Sequence, residues 1–261
     1  MSKLFDLTGA VAFVTGGNGG IGKGIALGLA EAGATVAIAA RNEAKTAEAV
    51  AAVRAVGGHA IGVRCDVTDE RQIGEAVQQA VQALGPITVL VNNSGIGARG
   101  LPQELSHEDW RRVLATNLDA PFYVAQACYP HMKRAGWGKV INIASGYSFF
   151  GGTMNPAYST SKGGIVQLTR SLANAWGKDN IQVNAIAPGY IQTELTERIQ
   201  GTALYDLLIG RTPAGRHGVP ADMAGPAVFL ASRASDFVTG AVIVADGGMT
   251  VADVTQVFPL A

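Results

Sequence analysis

The chain has 261 residues, of which 48% are hydrophobic and only 15% charged. That composition excludes disorder and is enough to bury a sizeable core. Twenty basic and 20 acidic residues give a formal net charge of +0, which excludes the basic footprint of a nucleic-acid or anionic-membrane binder. The low charge and a mean hydropathy of +0.21 point to apolar surface shared between subunits. Cys65 and Cys128 stand in unrelated contexts. They make neither a disulfide framework nor a zinc site and read as small buried hydrophobes in a reducing compartment. The first six residues lack the basic segment and apolar run of a signal peptide. No stretch approaches the ~20 apolar residues of a membrane span, so a soluble, cytoplasmic protein is expected.

Along the chain, short β-branched apolar runs alternate with longer Ala-rich stretches. Strands are predicted at 10–15, 35–40, 60–64, 88–92, 140–144, 182–187 and 241–245, and helices at 21–32, 44–56, 70–84, 107 to about 134, 158–176 and 221–231. Runs such as Ile87-Thr88-Val89-Leu90-Val91 are apolar without alternation, as strands of a parallel sheet covered on both faces should be. The alternation predicts a single α/β domain over residues 1–261: a Rossmann-type, doubly wound parallel sheet of about seven strands with helices on both faces. Ligands in such sheets bind at the carboxyl ends of the strands. The stretch 193–220 breaks the rhythm with Gly201, Gly210, Pro213, Gly215 and Gly218. Following a strand at that edge, it is expected to be a substrate lid.

The first strand runs into Thr15-Gly16-Gly17-Asn18-Gly19-Gly20-Ile21-Gly22 and a helix follows directly. Glycines allow close approach of the backbone to a pyrophosphate, and the helix N-terminus offers unpaired N–H groups and partial positive charge. Tyr158 and Lys162 lie four residues apart, one turn apart on one face of a helix. A tyrosine of reference pKa ~10 is a poor acid or base at neutral pH, and a neighbouring ammonium is expected to lower it toward the working range. Ser145 ends a strand at the same edge and can hydrogen-bond the same substrate oxygen.

The spacing Thr15-Gly16-x-x-x-Gly20-x-Gly22 resembles the short-chain dehydrogenase/reductase family. So do Asn92-Asn93-Ser94-Gly95, Ser145, Tyr158-Ser159-Thr160-Ser161-Lys162 and Pro188-Gly189, in this order over essentially the whole chain. Ser94 departs from the family's usual Ala. The resemblance implies an NAD(P)-dependent oxidoreductase with Asn117, Ser145, Tyr158 and Lys162 as its catalytic group. Lys162 would also hold the nicotinamide ribose, and Asn117 would relay protons through water. The implied cofactor contacts are Gly16, Asn18, Gly20, Ile21, Gly22, Asp66 (toward the adenine), Val67, Asn93, Gly95, Pro188, Gly189, Ile191 and Thr193, together with Tyr158 and Lys162. At the end of the second strand Ala40 occupies the family's usual acidic position and Arg41 follows, which favours NADP(H), while NAD(H) stays open. No His pair has metal-ligand spacing, so no metal is expected.

The substrate pocket is expected between 95–101, 146–155 and the lid. Arg99, Ser145, Tyr147, Asn155 and Tyr158 are its candidates, with Arg198, Arg211 and Arg216 as further anion readers. The wording of 180–190 and 212–216 is similar to the sugar-acid branch, the gluconate 5-dehydrogenases and 2-deoxygluconate 3-dehydrogenases. That branch implies hydride exchange with a secondary alcohol or ketone of a sugar acid or related keto acid; the alternative is a reductase of small aliphatic or aromatic ketones. A non-catalytic dinucleotide sensor would tolerate loss of Tyr158, Lys162 or Ser145, and all three are present. The extended epimerases and dehydratases carry a larger C-terminal domain than this chain. A homotetramer is expected from the family, packed through the helices 107–134 and 158–176.

Overall fold

A computed structural model describes residues 3–194 and 196–253. In chain order it contains β1 (Val11–Thr15), α1 (Gly20–Glu31), β2 (Thr35–Ala40), α2 (Glu43–Ala55), β3 (His59–Arg64), α3 (Glu70–Leu84) and β4 (Val89–Asn92). There follow α4 (His107–Leu114), α5 (Ala120–Ala135), β5 (Gly138–Ile143), α6 (Pro156–Trp176), β6 (Ile181–Pro188), α7 (Ala203–Gly210), α8 (Ala224–Ala231) and β7 (Val242–Ala245). The strands form one parallel sheet of order β3-β2-β1-β4-β5-β6-β7.

The unbroken apolar runs are buried on both faces. Every residue of β1, β4, β5 and β6 is buried. One layer of side chains, including Ile25 and Leu29 of α1, Val36 and Ile38, packs with Leu230 of α8. The other sets Phe13, Leu90 and Val140 against Ile73 and Val77 of α3 and Val124 of α5. Burying each such side chain contributes about 1.5–3 kcal/mol. Cys65 and Cys128 are both buried free thiols; burial pushes the Cys65 thiol up to about 11 and Cys128 further in the same direction. Neither is a nucleophile near neutral pH.

The strand order reverses between β1 and β4, on either side of the first strand. This opens a crevice at their carboxyl ends. The ends of β1, β2, β3, β4, β5 and β6 therefore present the Gly-rich turn, Arg41, Asp66, Asn93, Ser145 and Gly189 along one edge.

Two expectations need correction. The helix predicted from 107 to about 134 is divided: Ala115–Asp119 forms a π turn in which the Ala120 N–H donates to the Ala115 carbonyl. A single π turn within a long helical run has no residue signature of its own, so the sequence pattern does not register it. The stretch 193–220 is also not irregular throughout. It contains α7, whose N-cap Thr202 hydroxyl accepts from the Tyr205 N–H; the eight residues between Thr202 and Arg211 are too few to show a period. Leu195 and the Arg198 side chain fall outside the described residues. Among the described residues, no helix is long and apolar enough to cross a membrane.

Candidate active site

The Gly-rich turn fits a dinucleotide. Gly16 and Gly20 take positive φ of 62° and 47°, which glycine alone adopts without strain. A Cβ on Gly22 would lie 2.3 Å from the Gly16 carbonyl oxygen and 2.4 Å from Asn93 Nδ2, so only glycine lets α1 start this close to the turn. Asn42 and Asp69 cap α2 and α3 with their side chains, whereas Gly19 caps α1 with none. The first N–H groups of α1 are left facing the crevice, with the helix dipole behind them. Ile21 is half-buried beside them.

The groups around this turn are held by hydrogen bonds that the sequence does not announce. Thr15 Oγ1 accepts from the N–H groups of Asn93 (3.0 Å) and Ser94 (3.1 Å). Asn93 Nδ2 donates to the carbonyls of Thr15 (3.0 Å) and Gly16 (3.1 Å). The Asn93 carboxamide is therefore engaged in strapping the β4 turn to the β1 turn. Asn18 Nδ2 reaches Asn42 O at 3.4 Å and Thr46 Oγ1 at 3.3 Å, which joins the Gly-rich turn to α2.

At the β2 end, exposed Arg41 faces Asp66 at 3.8 Å. Burial works against the Asp66 carboxylate, but the Thr68 N–H and hydroxyl and the Arg41 charge hold it below its usual range. Val67 is buried next to it. Lys45 Nζ donates to Glu194 Oε1 at 2.6 Å, tying the start of the 193–220 stretch to α2. Thr193 packs over Gly20, its Cγ2 3.1 Å from where a Cβ would stand. Pro188 ends β6 and Ile191 is buried. A Cβ on Gly189 would come within 2.8 Å of Asp246 Cα, so that turn packs tightly on the end of β7.

Ser145, Tyr158 and Lys162 meet at the end of β5. The Ser145 hydroxyl accepts from the Tyr147 N–H at 3.2 Å and lies near enough to the Tyr158 phenol to act on its proton. Lys162 is buried; its Nζ donates to the Ile143 carbonyl at 2.6 Å and stands 5.6 Å from the Tyr158 ring centroid. Gly95 lies alongside: a Cβ there would be 3.5 Å from Asn117 Oδ1 and 3.7 Å from Lys162 Nζ. Asn117 sits in the π turn, fully buried, its Oδ1 accepting from Ile96 N at 2.9 Å and its Nδ2 donating to Ile96 O at 2.9 Å and Ser161 Oγ at 3.1 Å. Its carboxamide thus anchors the loop after β4.

The expected lowering of the Tyr158 pKa by Lys162 is not what the site shows. Burial pushes the phenol above its usual range, with the Ser145 hydrogen bond as the opposing influence. Burial also lowers Lys162 itself, to about 8, so the ammonium meant to act on the phenol is marginal in this surrounding. Spacing places the pair on one face; it does not report how dry that face is.

Two serines missed by motif reasoning complete the frame. Ser148 Oγ donates to the Lys162 carbonyl at 2.7 Å and accepts from the Ser145 N–H at 3.3 Å. Ser161 Oγ donates to the Tyr158 carbonyl at 2.7 Å. The signal for the first was Ser145-x-x-Ser148, a short hydroxyl cap at a strand end.

Of the substrate candidates, Tyr147 lies edge-on to Tyr158, ring centroids 5.9 Å apart. The Gly100 N–H donates to the Met154 carbonyl at 2.9 Å, bringing the loops that carry Arg99 and Asn155 together. Arg99 is exposed, and among the described residues no acid forms an ion pair with it. Arg216 is held by Asp222 through two bonds, 2.7 and 2.9 Å, and is not a free anion reader. A cavity of ≈ 290 Å³ beside the 193–220 stretch is lined by Tyr190, Arg216, Asp222 and Asp246, among others; Ser145 and Tyr158 are not among its lining residues. Among the described residues no group of three His, Cys, Asp or Glu side chains could hold a metal.

A glycine-lined crevice at the switch point of a parallel sheet, with Ser, Tyr and Lys at the next strand end, defines an NAD(P)-dependent oxidoreductase. Over residues 16–250 the chain matches the family model described as Enoyl-(Acyl carrier protein) reductase, and it belongs to the short-chain dehydrogenase/reductase family. It is 42% identical to a gluconate 5-dehydrogenase of Gluconobacter oxydans, covering 95% of this chain and 97% of that one. It is 43% identical to a 2-dehydro-3-deoxy-D-gluconate 5-dehydrogenase of Escherichia coli, over 94% and 97% respectively. Among solved structures, a gluconate 5-dehydrogenase from Burkholderia cenocepacia in complex with NADP and tartrate superposes with a TM-score of 0.92 at 40% identity, covering 96% of this chain and 99% of that one.

Proposed function

We propose that this chain transfers a hydride between NADP(H) and a secondary alcohol or ketone of a sugar acid. The observation that carries the reading is the convergence of Ser145, Tyr158 and Lys162 beside Gly95, one strand from the Gly-rich turn. The nicotinamide, when bound, supplies or takes the hydride. In the reducing direction the Tyr158 hydroxyl donates its proton to the carbonyl oxygen and Ser145 hydrogen-bonds that oxygen. Lys162 would hold the nicotinamide ribose and favours the phenolate left behind, and Asn117 holds the loop after β4. The names of the relatives and the NADP of the Burkholderia structure support substrate class and cofactor.

Arg41 supports NADP(H) over NAD(H): it is exposed at the β2 end, 3.8 Å from Asp66, and available to a 2′-phosphate. Arg41→Ala should raise the KM for NADPH about tenfold or more, the weight of a charge-assisted hydrogen bond, and leave that for NADH within about twofold. Steady-state kinetics with both cofactors decides; equal effects would remove Arg41 as the phosphate reader.

The carboxylate of a sugar acid must leave water, which is costly unless a cation meets it. Arg99, without an acidic partner among the described residues and on a loop braced by the Gly100–Met154 bond, is the cation we assign to it. The test is a panel of sugar acids and small ketones with NADPH and NADH, followed at the nicotinamide absorbance. Arg99→Ala should then raise the KM for the keto acid by about 10- to 100-fold and spare its neutral ester. An enzyme active on simple ketones alone would overturn the sugar-acid reading.

The residues 193–220 form the lid in this reading, within a single catalytic domain in the cytoplasm. The chain is a homotetramer packed through α4, α5 and α6, where Phe122 of α5 is 40% exposed. Light scattering should give four times the 26.9 kDa chain mass; a monomeric mass would refute it.

A further inference from the structure

Three phenols from different elements converge over the site. Tyr158 comes from α6, Tyr147 from the turn after β5, and Tyr190 directly follows the Pro188-Gly189 end of β6. Tyr147 is fixed by its edge contact with Tyr158 and by Phe150, ring centroids 5.3 Å apart. Tyr190 is fixed from the lid side by His217, which stacks on it with centroids 5.9 Å apart and is itself held by Tyr205 at 4.1 Å. The hydroxyls of Tyr147 and Tyr190 stand 3.4 Å apart. That is well outside the ~2.7–2.8 Å of a good O–H···O bond. The rings are locked while their hydroxyls are under-bonded, so each keeps donor and acceptor capacity for a third hydroxyl placed against both. The edge contact of Tyr147 with Tyr158 brings this hydroxyl pair to the reacting end of the site.

We propose that Tyr190, acting with Tyr147, is a specificity-determining residue that reads a substrate hydroxyl on a carbon next to the one that reacts, and so selects polyhydroxylated acids over acids without that hydroxyl. The proposal rests on the sugar-acid reading above. Such a group would bridge the two phenols and replace their long mutual contact with two shorter bonds. An apolar ketone would leave the pair as it is and lose nothing by its removal, since a site built to hydrogen-bond a hydroxyl discriminates only against what lacks one.

The test compares 5-keto-D-gluconate with 5-oxohexanoate, a keto acid that keeps the carboxylate and lacks every hydroxyl, the second measured as substrate or as competitive inhibitor. Tyr190→Phe keeps the ring and its stacking on His217. It should raise the KM for 5-keto-D-gluconate about 3- to 10-fold, the worth of one neutral hydrogen bond, with a smaller change in kcat. The KM or inhibition constant for 5-oxohexanoate should stay within about twofold. Tyr147→Phe should act in the same way. The double variant should be no worse than about either single one, because both phenols serve one hydroxyl. An equal rise for both compounds, or no change for either, would overturn the proposal and leave the phenols as packing. Additive effects of the two substitutions would break the pair. A wild-type enzyme that does not act on 5-keto-D-gluconate overturns the sugar-acid reading and this inference with it; a wild type that does, with variants blind to the hydroxyls, overturns the inference alone.

Discussion

Replacing Tyr158 with phenylalanine should lower kcat by at least ~10²-fold, the ordinary contribution of a positioned general acid, while NADPH binding stays within about threefold. Phenylalanine keeps the ring that Tyr147 meets edge-on and removes only the hydroxyl that Ser145 addresses. The proton must then come from water, and Ser145 remains to stabilise the developing alkoxide, so a residual rate is expected rather than none. Because burial holds the phenol above its usual range, it is protonated throughout the neutral region and ready to donate in the reducing direction. Single-turnover measurement of nicotinamide oxidation, beside fluorescence titration of NADPH, separates the two quantities. Turnover retained in the variant would take Tyr158 out of the proton step.

The parts of this fold that could be read from the sequence are those where one force dominates. Strands buried on both faces must be apolar along their whole length, so β2 was read to the residue and the other six to within two. Asp69 ahead of Glu70 and Gly85 after Leu84 mark the ends of α3, and both ends were read correctly. Tyr158 and Lys162 were legible because a four-residue spacing on any helix brings them to one face. What remained hidden depends on atoms distant in sequence. The π turn at Ala115–Asp119 is one inserted residue, whose consequence is that Asn117 reaches Ile96 and Ser161. The strap made by Asn93 is equally hidden, because the Thr15 and Gly16 carbonyls that receive its amide lie 78 and 77 residues earlier. Tyr190 carries no motif of its own; only the fold places its hydroxyl against that of Tyr147. The direction of the Tyr158 shift was misread for the same reason, since a nearby charge is visible in a spacing and a loss of water is not.

Lys162→Met should lower kcat/KM by about 10²- to 10³-fold, as removal of one preorganised electrostatic group does, without lowering the melting temperature at pH 7. Methionine fills a similar volume and leaves no cavity, but it carries no charge for the ribose or for the phenolate that forms on Tyr158. The buried ammonium is the reason the two readouts should part. Burial lowers Lys162 from 10.5 to about 8, so below pH 8 the folded protein holds a proton at a site that disfavours it. That burden on stability is present in full below about pH 8 and is relieved as the pH rises toward 10.5, where the unfolded chain still binds the proton and the folded one does not. The wild type should therefore gain stability relative to Lys162→Met between those two values. Activity runs the other way: kcat/KM for reduction should fall as the pH passes about 8 and the ammonium is lost. Melting curves and pH–rate profiles of both proteins test this together. A flat alkaline limb in the wild type, or a Met variant that melts lower at pH 7 by more than a few degrees, would show that Lys162 is a structural residue whose charge the reaction does not use.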